Sequence, residues 1–220
     1  MLDLRAPTLS VDRGERLTRE GYRREFRERD AAIRNRDSWK LERRQHFEEL
    51  GNESWAAVRR GDWTEALRLL DTEQRRNALT EVHQGDVRRR TVFHRVRVAQ
   101  KPLTPYMQWE LNSQRVRAEC GEHIHVVSAD QVAESEREGL LPEVVVLGGG
   151  TLYHVMYSET GVPDGAIRHT DPELIERWEN YIRALYRIGE DVRDYVRREV
   201  AQLPPPEQWN TATDAKTRVE

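Results

Sequence analysis

The sequence contains very little cysteine and lysine. Cys120 is the only cysteine among its 220 residues, which excludes a disulfide within the chain and a zinc site built mainly from cysteines. Lysine occurs only at Lys40, Lys101 and Lys216, so arginine supplies nearly all of the 36 basic residues. Arginine favours bidentate contacts with carboxylate or phosphate groups. GC-rich coding produces the same bias, and we favour that simpler explanation.

The chain also lacks a long apolar run. No stretch approaches the length of a membrane span, and residues 1–10 lack the basic and then apolar pattern of a secretion signal. We therefore expect a cytoplasmic protein with no membrane partner. Charged residues make up 34% of the chain and hydrophobic residues 37%, so we expect a thin core under charged helices. The net charge of −3 requires neither nucleic acid nor an acidic membrane as partner.

The pattern of apolar residues divides the chain near Thr91. Residues 1–90 predict a charged helical region, residues 91–202 an α/β domain, and residues 203–220 a disordered tail. The expected fold class is α+β: a helical N-terminal half, then a small mixed α/β sandwich domain with a long C-terminal helix.

The N-terminal half carries two helical patterns. Sparse apolar residues at helical spacing over 15–50, without proline, predict a long exposed helix that breaks near Ser38, where a second helix is capped. Residues 54–72 predict a helical hairpin similar to one tetratricopeptide unit, because Gly61 can end one helix and Asp62 can cap the next. This unit does not recur at a fixed period, so a solenoid is not expected.

From Thr91 onward the apolar residues alternate with period two, which predicts a strand that ends before Pro102. Thr104 then caps a helix that runs to about Glu119. A second strand follows over 123–127, and the three elements predict a right-handed parallel crossover.

The rest of the α/β domain has equally local signals. An apolar run over 143–147, three glycines and a second run over 151–157 predict a β-hairpin. A short strand is expected over 166–169. Residues 170–173 then have the capping and proline pattern of a helix start, and the apolar stripe of that helix continues to about Val200.

A basic segment is the best candidate for a functional site. No acidic residue lies between Asp86 and Glu110, and two arginines alternate with valines on the predicted strand. If the two crossover strands are neighbours, two histidines can lie beside these arginines and form an anion-binding surface. The candidate ligand-binding residues are Arg95, Arg97, His123, His125 and Lys101.

Two other interpretations of these residues stay open. The arginines can simply form ion pairs with acidic helices, such as the one that carries Glu134, Glu136 and Glu138, and we favour this interpretation. A metal site at Cys120, His123 and His125 would have an acceptable His-x-His spacing, but it lacks a clear fourth ligand, so we predict no metal. No cofactor motif, phosphate-binding loop or catalytic motif occurs, and no catalytic residue is nominated.

Several segments resemble an actinobacterial family of unknown function. Its members are typically encoded beside helix-turn-helix regulators in differentiation and secondary-metabolism loci. The resemblance rests on residues 95–106, 109–111, 121–124, 141–147 and 153–157. It implies a regulatory setting and brings no catalytic residues.

The order of elements from Thr91 is also similar to half of a phospholipase-D-like sandwich. Hydrolases of that fold need a His-x-Lys motif, but His154 is followed by Val155 and Met156, with no lysine. This resemblance therefore implies a non-catalytic form.

We expect a regulatory or protein-interaction protein that senses a ligand and works with a transcriptional regulator, and a homodimer is compatible with this expectation. The alternative is an enzyme that acts on a phosphorylated or nucleotide substrate through the basic strand face. Direct DNA binding is a third hypothesis, which we do not favour.

Overall fold

The structure is a computed structural model that describes residues 5–206. Of the tail predicted over 203–220, residues 207–220 lie outside the described residues. Residues 203–206 follow the last helical segment without a helix or strand.

Eight strands form one mixed sheet in the described part of the chain. The strands are β1 (Glu15–Leu17), β2 (Ser38–Glu42), β3 (Phe93–Ala99), β4 (His123–Ser128), β5 (Glu143–Leu147), β6 (Thr151–Tyr157), β7 (Pro163–His169) and β8 (Glu190–Asp191). Their order across the sheet is β1-β7-β6-β5-β2-β3-β4-β8. β2 is parallel to β3 and antiparallel to β5, so it joins the parallel part of the sheet to the antiparallel part.

The helices lie around this sheet. They are α1 (Arg19–Ala32), α2 (Glu53–Arg59), α3 (Trp63–Leu70), α4 (Glu73–Arg89), α5 (Pro105–Glu119), α6 (Ala129–Val132), α7 (Pro172–Ile188) and α8 (Val192–Tyr195). Short 3-10 turns cover Val11–Arg13 and Ala133–Glu136, and a π-helical segment, Val196–Val200, follows α8. The α+β class and the C-terminal helix are therefore confirmed.

The crossover predicted from Thr91 is present. β3 and β4 are parallel neighbours, and α5 connects them. The Thr104 hydroxyl accepts a hydrogen bond from the main-chain N–H of Met107, as an N-cap should, and Pro105 lies in the first turn. The hairpin of β5 and β6 and the helical hairpin of α2 and α3 also form where they were predicted.

The long helix predicted over 15–50 is wrong. The segment contains β1, α1 and β2, and Ser38 begins a strand instead of capping a helix. All residues of β2 are buried or half-buried, including Lys40 and Glu42. Dense charge suggests exposure, and the helix α1 buries none of its side chains, but Lys40 and Glu42 in β2 are paired inside the protein. The sheet therefore runs across the boundary expected near Thr91.

The sheet is covered on both faces. On one face, α7 packs Trp178, Ile182 and Leu185 against apolar residues of β2, β3 and β5. On the other face, α5 packs Tyr106 and Trp109 with the α2–α3 hairpin. Within residues 5–206, no helix is long and apolar enough to cross a membrane.

Candidate functional site

The two faces of the sheet separate the residues predicted to form one site. His125 lies opposite Val96 on the neighbouring strand rather than opposite an arginine. Side chains at paired positions point to the same side of a sheet. His123 and His125 therefore lie on the face covered by α7, while Arg95 and Arg97 lie on the other face. The register thus separates the histidines from the arginines across the sheet, although His123, at the start of β4, also lines the same cavity as Arg95.

Arg97 is fully buried and has no access to a ligand from solvent. Its Nη1 donates to the main-chain oxygen of Glu42 at 3.2 Å, and its Nη2 lies 2.8 Å from the sulfur of Met107. The guanidinium also lies over the ring of Phe47, with 5.6 Å to the ring centroid. Arg97 thus connects β3 to β2 and to α5 through buried contacts.

The other candidates are spread over the surface. Lys101 follows β3, and its Nζ lies 2.5 Å from a carboxylate oxygen of Glu199. The ring of His125 stacks on Tyr186 at 3.8 Å between centroids, and its Nδ1 lies 2.7 Å from the main-chain oxygen of Tyr186. His123 is exposed near the edge of the sheet. Lys101 and His125 do not line the cavity that His123 shares with Arg95.

Arg95 instead lies in a set of buried and half-buried charges that we name the Arg95 network: Lys40, Glu42, Arg95, Arg117 and Glu122. One Arg95 nitrogen lies 2.6 Å from Glu42 Oε1, and another lies 2.9 Å from Glu122 Oε1. Lys40 Nζ contacts the same Glu42 oxygen at 2.5 Å. Arg117 pairs with the second oxygen of Glu122. The ion-pairing interpretation of Arg95 therefore describes its geometry, but with partners other than the helix over 134–138.

Opposite charges keep this network ionised. Burial alone would raise the pKa of Glu42, but Arg95, Lys40 and Arg97 outweigh it and hold the pKa well below its usual range. Burial likewise opposes ionisation of Glu122, yet Arg95 and Arg117 lower its pKa to about 2. A buried ion pair is by itself weak evidence of a role in stability, because the cost of desolvation offsets much of the attraction. Strongly shifted groups beside a cavity are typical of functional sites.

A cavity of about 430 Å³ lies above this network. We name it the α4 cavity, because α4 covers it from the side opposite the sheet. Lys40, Arg95, Arg117 and Glu122 contribute to its polar end. Its apolar walls include Tyr22, Phe26, Leu79, Val82, Phe93 and Val145.

Helix α4 covers the cavity without filling it. As the structure describes it, none of its side chains is buried. Val82 is 65% exposed and Val87 59% exposed, although both line the cavity. The helix is held near its ends: Arg75 donates to the Ser113 hydroxyl on α5 at 2.8 Å, and Arg89 donates to a main-chain oxygen of α1. Apolar side chains of α4 therefore face a space that a ligand can occupy.

Residues 24–197 match the family described as Domain of unknown function (DUF6879). The chain belongs to this family. The expectation of a family of unknown function is thereby confirmed. None of the curated proteins compared with the chain matches it. The DUF6879 match spans β2 to β4 and α4, so it contains the Arg95 network and every residue that lines the α4 cavity except Tyr22.

Sequence reasoning missed the acidic half of the network in this DUF6879 chain. Glu42 and Glu122 lie 53 and 27 positions from Arg95, and nothing local connects them to it. One signal was present: Trp39 and Leu41 alternate with Lys40 and Glu42, which is the period of a strand. Within the described residues, no group of three or more His, Cys, Asp or Glu side chains could hold a metal ion.

Proposed function

We propose that this protein is a cytoplasmic regulatory protein that senses a small molecule in the α4 cavity. The observation that carries the proposal is a cavity of about 430 Å³ under a helix that buries none of its own side chains. Ligand sites of this size are typically apolar, with a few polar groups that fix orientation. The α4 cavity has both parts, since rings and aliphatic side chains form its walls and charged groups lie at one end.

The charges suggest the chemistry of the ligand. Asp30 and Asp86 also line the cavity, but both pair with Arg89. The Arg95 network has an excess of positive charge, with three cations, Lys40, Arg95 and Arg117, against two carboxylates. One anionic group on the ligand would balance this excess, and Lys40 and Arg117 are the partly exposed cations that could meet it. We therefore propose a ligand with an apolar ring or chain and a single acidic group.

Sensing is favoured over an enzyme that uses the basic strand face on a phosphorylated or nucleotide substrate. Arg97 is fully buried, and Arg95 already pairs with two carboxylates. Substitution of Arg95 by alanine would remove one cationic partner from each of two carboxylates, and substitution of Arg97 would leave a cavity beside Met107 and Phe47. Loss of activity would therefore not distinguish binding from folding. Direct DNA binding predicts a steep loss of affinity with rising salt in a gel-shift assay.

The regulatory role and the partner rest on the family resemblance. So do the actinobacterial setting, the neighbouring helix-turn-helix regulators and the phospholipase-D-like likeness. We propose that the partner is the regulator encoded beside the gene, and that the chain can also form a homodimer. Size-exclusion chromatography of the two purified proteins tests the pairing. Separate elution, with and without a ligand in the α4 cavity, would remove the partner from the proposal.

The ligand site itself is testable with 8-anilinonaphthalene-1-sulfonate, which joins apolar rings to one anionic group. We expect its fluorescence to rise on binding, and the Leu79→Glu variant to bind about tenfold more weakly, because a charge replaces part of an apolar wall. The matched control is Leu140→Glu, since Leu140 is 72% exposed and does not line the cavity. Equal binding by both variants would show that the dye lies elsewhere and would overturn the proposed site.

A further inference from the structure

A second cavity, of about 320 Å³, lies between β2 and α5 on the same face of the sheet. We name it the α5 chamber. It meets the α4 cavity at the Arg95 network, because Lys40, Arg95 and Arg117 line both spaces. Its other walls include Glu49, Tyr106, Trp109, Glu110, Gln114 and Tyr157.

Two carboxylates face this chamber without a cationic partner in contact. Neither Glu49 nor Glu110 forms an ion pair within 4.0 Å of any residue in the described part of the chain. Glu49 Oε1 accepts a hydrogen bond from the Tyr106 hydroxyl at 2.9 Å. Burial, and then the nearby charge of Glu110, raise the pKa of Glu49. The two carboxylates therefore repel each other, and a positive charge between them would relieve that repulsion.

Gln114 adds a second and independent observation. Its side chain is 1% exposed. Its Nε2 donates to Glu42 Oε2 at 3.2 Å and to Glu110 Oε1 at 2.8 Å. Its carbonyl oxygen has no hydrogen-bond partner among residues 5–206. Buried polar atoms are nearly always paired, so this oxygen is an acceptor without a donor in the wall of the chamber.

The remaining walls suit a cation as well. Tyr106 and Trp109 lie on α5 with 5.6 Å between their ring centroids, and Tyr157 approaches from β6. The faces of such rings attract ammonium and guanidinium groups. Arg75 is the cation of the chamber that lies outside the Arg95 network. It shares the chamber with Glu49 and Glu110, which form no ion pair within residues 5–206, whereas the three cations of the Arg95 network already pair with its two carboxylates.

We propose that the α5 chamber binds a small organic cation, with its ammonium or guanidinium group held between Glu49, Glu110 and the Gln114 carbonyl oxygen. The inference goes beyond the proposed function, because it concerns a different cavity and a ligand of opposite charge. The acceptors supply hydrogen bonds and charge, and the rings of Tyr106 and Trp109 hold the apolar part of the ligand.

Three probes of similar size and different charge test this proposal: benzylamine, benzyl alcohol and benzoate. The indole N–H of Trp109, which donates to the Ser54 hydroxyl at 2.8 Å, supplies the signal in a ¹H–¹⁵N correlation spectrum. We expect benzylamine to shift this resonance and to bind at least about tenfold more tightly than benzyl alcohol, since hydrogen bonds to charged groups are the stronger ones. Benzoate should not bind in the chamber. Equal affinity for the amine and the alcohol, or no shift with benzylamine, would overturn the proposal.

Variants locate the bound cation. The Glu110→Gln variant keeps the shape of the side chain and should bind benzylamine at least about tenfold more weakly. Glu138→Gln is the control, because Glu138 is exposed and lies away from the chamber. Unchanged binding by Glu110→Gln would overturn the assignment. The three-probe comparison uses the unaltered chain, so it tests the proposal even if the Glu110→Gln variant fails to fold. Leu79→Glu should leave benzylamine binding intact, which separates this test from that of the α4 cavity.

Discussion

Replacing Glu122 by glutamine should reveal how much the Arg95 network contributes to stability. Arg95 and Arg117 overcome the effect of burial and lower the pKa of Glu122 from 4.5 to about 2. A difference of one pKa unit corresponds to about 1.4 kcal/mol. The ionised form of Glu122 therefore stabilises the folded state by about 3 kcal/mol at pH 7, and Glu122→Gln should lose about that much.

The pH dependence follows from the direction of this shift. The folded-state pKa is depressed, so the contribution is fully present above the unfolded pKa of 4.5 and is lost as the pH falls toward 2. About 1 kcal/mol should remain at pH 3. Protonation of the unaltered protein thus removes most of what the variant lacks, and the two stabilities should converge in acid.

Urea unfolding followed by circular dichroism, at pH 7 and at pH 3, measures both quantities. Glu138→Gln is the control for an exposed carboxylate and should change the free energy of unfolding by less than about 0.5 kcal/mol. A loss below about 1 kcal/mol in Glu122→Gln at pH 7 would refute the reasoning, because the ion pairs would then barely exceed their desolvation cost. The same loss at both pH values would also refute it.

Three further predictions concern other parts of the structure. Leu41→Ala should lower the free energy of unfolding by about 2–5 kcal/mol, since Leu41 is fully buried in β2; Leu50→Ala, at a 63% exposed position, should change it by less than about 0.5 kcal/mol in the same urea titration. Gly121→Ala should increase hydrogen exchange in α4, because a Cβ at φ +111° would clash with the ring of His83 on that helix. Gly51→Ala, at φ +76° with nothing within 4 Å, controls for backbone strain alone and should leave α4 exchange unchanged. Burial lowers the pKa of His94 to about 4, so its contribution to stability is fully present above pH 6.5 and is lost as the pH drops toward 4. His94→Phe should therefore flatten the plot of unfolding free energy against pH between those values. An unchanged plot would contradict the assignment of this pH dependence to His94.

Local signals accounted for much of the fold. The cap at Thr104, the proline after it and the glycine at 121 belong to α5 itself, so they could be read without knowing what α5 contacts. The same holds for the glycine turn between β5 and β6. Alternation in β3 also placed Arg95 and Arg97 on one face. These features depend on residues a few positions apart, which is the range over which sequence patterns are informative.

The candidate site depended on distant partners and could not be predicted in the same way. The ionised state of the buried Glu42 depends on Arg95, Lys40 and Arg97 together, and two of these lie on another strand. The α4 cavity is equally invisible, because it depends on where α4 ends and on the side chains that fail to reach the sheet. The basic strand contributes Arg95 to the Arg95 network, but the carboxylates that pair with Arg95 could not be identified without the fold.

The Arg95 network also specifies the alignment of the sheet. β2 joins β5 to β3, and a slip of one residue would turn each of its side chains to the opposite face. Lys40 and Glu42 would then face the apolar packing of α7, and Trp39 and Leu41 would face Arg95 and Glu122. Charge pairing on one face of the sheet and apolar packing on the other thus both disfavour a one-residue slip of β2. The pairing of Glu42 with Arg95 therefore favours the observed register of β2, the strand that joins the two halves of the sheet.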